Sequence, residues 1–87
     1  LDDRVTAATR VLSLYMEFKK MSDLGVFMDY VRNHEMKISE IEMTKSNNVE
    51  DIGVAVLLTL RMKQKRPHTE IIQLLYEAGG VIYIEEI

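Results

Sequence analysis

The chain has no cysteine, no tryptophan and a single proline. Without thiols there can be no disulfide scaffold, no thiolate-held zinc, copper or iron–sulfur site and no cysteine nucleophile. Long apolar runs are missing as well. The longest, Val54 to Leu58, falls far short of the roughly 18–20 residues that cross a bilayer as a helix. Cations are not in surplus: 11 Lys and Arg stand against 14 Asp and Glu, a formal charge of −3, whereas nucleic-acid-binding domains normally carry a basic surface. Leu1-Asp2-Asp3-Arg4 is neither an initiator methionine nor the lead of an apolar signal segment, so the chain is expected to be part of a longer protein.

What is present is globular. Hydrophobic residues make up 47% and charged residues 29%, proportions that exclude a disordered chain. The length of 87 residues fits one domain with a thin core. Residues 1–9 have no clear period and read as a lead-in, leaving 10–87 as the domain. From Arg10, Leu12, Leu14, Met16 and Phe18 alternate with Ser13, Tyr15 and Glu17, the period of a half-buried strand. Ser22 is a candidate N-cap for a helix whose apolar stripe is Leu24, Phe27, Met28 and Val31. Met36 and Ile38, then Ile41 and Met43, form a second strand whose phase slips at Ser39-Glu40, either at a β-bulge or because the strand starts late. Lys45-Ser46-Asn47-Asn48 reads as a connection. Ile52, Val54, Val56, Leu58, Leu60 and Met62 mark the strongest and most central strand. Pro67 ends it, Ile71, Leu74, Leu75 and Ala78 give a second helical stripe, Gly79-Gly80 supplies a left-handed cap, and Val81–Ile84 is a last short strand.

The order β-α-β-β-α-β contains a repeat, with Leu12, Leu14 and Met16 recurring as Leu58, Leu60 and Met62. Two such halves predict an α+β, ferredoxin-like two-layer sandwich: an antiparallel four-stranded sheet with two helices on one face. The open face would show Val11, Tyr15, Ala55 and Leu57, an apolar surface expected to be covered by a second copy, giving a homodimer. The first and third strands are expected to run parallel at the sheet centre. Lys19, Lys20, Lys63, Lys65 and Arg66 would then emerge at one end, with both helix N-termini, as a contact for an anionic surface.

Catalytic readings fare poorly. The turn Glu17-Phe18-Lys19-Lys20-Met21-Ser22-Asp23 has neither a glycine-rich anion cradle nor a nucleophile with a base, and the central strand lacks the stacking aromatics of an RNA-binding sheet. His34 reads as a helix-end residue and His68 as solvated or capping. Glu40 and Glu42, with Glu50-Asp51 across the hairpin, read as edge charges rather than a cation site, and the six methionines mostly as core filling. No enzyme activity, metal, cofactor or nucleic-acid partner is expected.

Ser22-Asp23-Leu24-Gly25-Val26-Phe27 resembles the first strand–helix turn of ACT-type regulatory domains, with Gly25 on the family's glycine and Leu24 in place of its proline. Gly80-Val81 at the last strand is similar to the same pattern. The resemblance implies an ACT-like fold, and ligand contact at Asp23 and Gly25 if the turn is functional. The whole-chain pattern further resembles the C-terminal soluble tail of MgtC/SapB-type bacterial membrane proteins. That resemblance implies a noncatalytic regulatory or interaction domain at the cytoplasmic face of the inner membrane. It would be continuous with an N-terminal transmembrane portion, have a membrane-protein partner within reach, and be linked to magnesium limitation or virulence. The alternative is an amino-acid-sensing ACT domain of a soluble metabolic enzyme.

Overall fold

The computed structural model describes residues 8–45 and 53–87. Along the chain lie β1 (Ala8–Phe18), α1 (Met21–Asn33), β2 (Met36–Thr44), β3 (Val54–Pro67), α2 (His68–Tyr76) and β4 (Val81–Glu86). They form one antiparallel sheet in the order β2-β3-β1-β4, the expected ferredoxin-like βαββαβ arrangement. Every pairing in this sheet joins the first β-α-β half to the second. β2 bonds only β3, β4 bonds only β1, and β1 and β3 make the central seam.

Alternation builds the two layers. Leu12, Leu14, Met16 and Phe18 on β1 and Val56, Leu58, Leu60 and Met62 on β3 point to the helices, where they meet Leu24, Phe27 and Val31 of α1 and Ile71 and Leu75 of α2. Phe18 and Phe27 lie fully buried at the centre with ring centroids 5.3 Å apart. Short helices such as these are marginal alone, so this apolar stripe holds them. Tyr30 adds a tie between the helices, its hydroxyl donating to the Leu74 carbonyl at 2.8 Å. Burial first, and Glu77 second, raise its pKa.

The phase slip on β2 is a true bulge. The register to β3 shifts between Ile38 and Glu40, leaving Ser39 as the extra residue. Gly79 and Gly80 both take positive φ (83° and 74°) after α2, as a left-handed exit requires. Ser13 pairs with Thr59, Leu12 with Leu60 and Leu14 with Leu58. The sequence repeat therefore appears as a local two-fold relation about the Ser13–Thr59 pair, 46 residues apart, whose hydroxyls approach to 3.4 Å.

Several expectations are corrected. β1 and β3 are antiparallel, because two halves related by a two-fold axis perpendicular to the sheet must point in opposite directions. β1 starts at Ala8, inside the expected lead-in. Ser22 is not the N-cap: α1 begins at Met21 with Lys20 before it, and no side chain caps the end. Met28, placed on the inward stripe, is exposed, as are Met21 and Met43, so only Met16, Met36 and Met62 fill the core. Ile52, Ser46, Asn47, Asn48, Glu50 and Asp51 lie outside the described residues.

Candidate functional site

Antiparallel β1 and β3 give the molecule two separate poles. Phe18 pairs with Val54 at one and Thr9 with Arg66 at the other, about 30 Å apart at 3.3 Å per residue. Lys19 and Lys20 therefore stand at one end and Lys63, Lys65 and Arg66 at the opposite end. The single basic cluster does not form, and the two helix N-termini begin at opposite poles as well.

The pole of the β1–α1 turn carries Asp23 and Gly25. β1 hands over to α1 through Lys19-Lys20, where the Lys19 amide donates to the Gly80 carbonyl at 3.1 Å and the Asp23 amide to the Lys20 carbonyl at 3.1 Å. This locks the first turn of α1 to the start of β4. Asp23 lies directly over Gly80: a Cβ added there would collide with the Asp23 Cγ. Asp23 and Gly80 thus form one tightly packed corner, which the sequence showed only as two separate patterns. Gly25 is different. A Cβ on it would meet nothing within 4 Å, on an exposed part of α1. Gly25→Ala should therefore raise stability by about 0.5–1 kcal/mol, read by urea denaturation, because helical glycine costs entropy and the site imposes no steric need.

On the open sheet face, Val11, Tyr15 and Leu57 line up as expected, and Val11 is 41% exposed. Ala55 is fully covered already, so it offers no surface to a partner. Glu17, beside Tyr15, is the unforeseen member of this face. Glu17 is completely buried and accepts a hydrogen bond from the Tyr15 hydroxyl, and Tyr83 packs edge-on against Tyr15 with centroids 6.2 Å apart. Tyr83 donates to Glu85 at 2.8 Å, and this hydrogen bond, with burial next, raises its pKa. Sequence alternation put Glu17 on the outer face but carried no sign of its burial. A shallow hollow of about 490 Å³ runs across the same face between Ser13, Glu42, Leu57 and Ile87.

Both histidines are structural fastenings. His34 Nδ1 lies 2.8 Å from the Tyr30 carbonyl, and since a carbonyl only accepts, the ring nitrogen donates and closes the end of α1. His68 Nδ1 lies 2.8 Å from Glu86, tying α2 to β4. Glu40 and Glu42 sit exposed on the edge strand, and among the described residues no three His, Asp or Glu side chains come together as a metal site. Lys37 and Arg61 escaped the sequence reading. They are neighbours only through the β2–β3 register.

No family model matches the chain, and no curated protein matches it in sequence. Solved structures do. The ACT domain of the GTP pyrophosphokinase of Chlorobium tepidum aligns with a TM-score of 0.60 at 14% identity, covering 93% of this chain and 100% of that one. The C-terminal domain of the MgtC protein of Mycobacterium tuberculosis aligns with a TM-score of 0.60 at 10% identity, covering 100% of this chain and 92% of that one. At such identities the likeness concerns the fold, and the fold is ACT-like.

Proposed function

We propose that the chain is a noncatalytic regulatory and interaction domain. In this reading it is the soluble part of an MgtC/SapB-type membrane protein on the cytoplasmic face of the bacterial inner membrane, serves under magnesium limitation or in virulence, and works as a homodimer. The observation that carries the reading is the likeness to the MgtC C-terminal domain over 100% of this chain. Exposed apolar side chains on both sheet edges, Ile41 and Met43 on β2 and Ile82 on β4, support the interaction role, since bare edges are templates for pairing.

Two measurements test separate parts of it. Antibody raised against this domain should find the cellular protein in the membrane fraction, and recovery in the soluble fraction would overturn the membrane assignment. Sedimentation equilibrium at tens of micromolar, about where weak interfaces with micromolar dissociation constants are occupied, should show dimer. Monomer alone would overturn the assembly.

The second reading, an amino-acid sensor, is favoured by the full coverage of the ACT domain of the pyrophosphokinase. Leu24 in place of the family's proline and the close seating of Asp23 on Gly80 oppose it. Thermal denaturation with each of the twenty amino acids is expected to show no rise in melting temperature. A rise that Gly25→Val abolishes would establish the sensor instead.

A further inference from the structure

The pole opposite the β1–α1 turn holds several cations that no carboxylate among the described residues pairs. Lys37 and Arg61 are direct cross-strand partners on β2 and β3, an arrangement in which like charges oppose strand pairing. Lys63 and Arg66 follow on β3 at the same end. Among the described residues the ion pairs are Arg32 with Asp29 and His68 with Glu86, so Lys37, Arg61, Lys63 and Arg66 have no carboxylate partner there.

Lys37, Arg61 and Lys63 line a hollow of about 420 Å³ at this end of the sheet, beside Arg32. A smaller hollow of about 100 Å³ adjoins it between Lys63 and Arg66. Glu35 is the sole acidic residue lining either one, and it is held at φ 60°, a left-handed conformation that costs a non-glycine residue strain.

We propose that this pole binds a small phosphate-bearing anion, with the phosphoryl oxygens on Lys37, Arg61 and Lys63. Several cations converging, with no carboxylate partner among the described residues, match a multiply charged anion, whereas a single carboxylate would neutralise only one. Guanidinium and ammonium groups give phosphate charge-assisted hydrogen bonds. The larger hollow is within the size range of small-molecule sites. A nucleic-acid strand fits less well, since the cations are confined to one end of a chain of net charge −3 rather than forming a track.

The test is an NMR titration of the chain at low salt with inorganic phosphate, pyrophosphate and ADP, and in a parallel arm with vesicles containing phosphatidylglycerol. Amide shifts should concentrate at Met36, Lys37, Arg61, Met62 and Lys63. ADP or pyrophosphate should bind with a dissociation constant of about 0.1–1 mM, tighter than inorganic phosphate. Shifts with vesicles alone would assign the same phosphate chemistry to a lipid headgroup. Lys37→Gln with Arg61→Gln should weaken binding at least about tenfold, the loss expected for charged hydrogen bonds. The melting temperature should hold or rise, because the like-charge pair is gone. Lys19→Gln with Lys20→Gln, at the far pole, should change affinity less than about twofold, since screening over about 8–10 Å isolates it. No shift with any probe at about 10 mM, or equal losses from the two double variants, would overturn the site. Neither result depends on the membrane or homodimer reading.

Discussion

Gly80→Ala should lower stability by about 2–5 kcal/mol, a fall of at least roughly 8 °C in melting temperature for a domain of this size. Two costs combine. Gly80 sits at φ 74°, where an L side chain is strained by about 1–2 kcal/mol. The added methyl would also collide with the Asp23 Cγ and lie 2.7 Å from its Cβ. A clash at Cβ is not relieved by rotating the carboxylate, so α1 itself must shift against β4, and overpacking of this kind costs about 1–3 kcal/mol. Gly79→Ala is the matched control. Its φ of 83° imposes comparable strain, but no atom lies within 4 Å of the added carbon. The difference between the two variants in thermal denaturation followed by circular dichroism isolates the Asp23 contact. Equal losses would mean that the corner is not packed as described.

Phe27→Ala should be the most damaging core truncation, at about 3–5 kcal/mol. Phe27 is fully buried and tilts against the equally buried Phe18 at 5.3 Å, joining α1 to the centre of the sheet. A small domain holds only about 0.05–0.15 kcal/mol per residue in total. The variant should therefore unfold at a much lower urea concentration and populate unfolded chain at 37 °C, while Phe27→Leu should lose about half as much. An alanine variant within about 1 kcal/mol of the parent would contradict the central placement of this ring.

The layers of the fold were legible because alternation and helical spacing report burial directly. Leu12, Leu14, Met16 and Phe18 face the helices as their period requires, and the slip at Ser39-Glu40 is a bulge because only an extra residue reconciles Ile38 with Ile41 on one face. Direction was not legible. The repeat showed that Lys19-Lys20 and Lys65-Arg66 occupy equivalent places, but equivalence under a two-fold axis puts them at opposite ends rather than together. Burial at Glu17 and the juxtaposition of Lys37 with Arg61 depend on which strand lies beside which, and with what register. Ser22 failed as a cap for a local reason: the turn Lys19-Lys20 is fixed by the Gly80 carbonyl, which starts α1 two residues earlier than its side chain would choose. Met28 and Met43 show the same limit: their spacing marks them as inward, yet both are exposed.

The pairing order of the sheet has a consequence for how the molecule comes into being. Neither β-α-β half owns a single ladder of its own, because every strand finds its neighbour across the divide. A nascent first half leaving the ribosome has a helix and two strands but no hydrogen-bonded sheet to place them in. It must wait, unzipped, until β3 arrives to fill the gap between β1 and β2. Its loop-closure entropy is lost before any non-local contact compensates, the signature of a slower, all-or-none folder. In effect the domain is an obligate heterodimer of two fragments that happen to share one backbone. Cut between β2 and β3, the fragments would be unstructured apart and would recover the sheet only by finding each other.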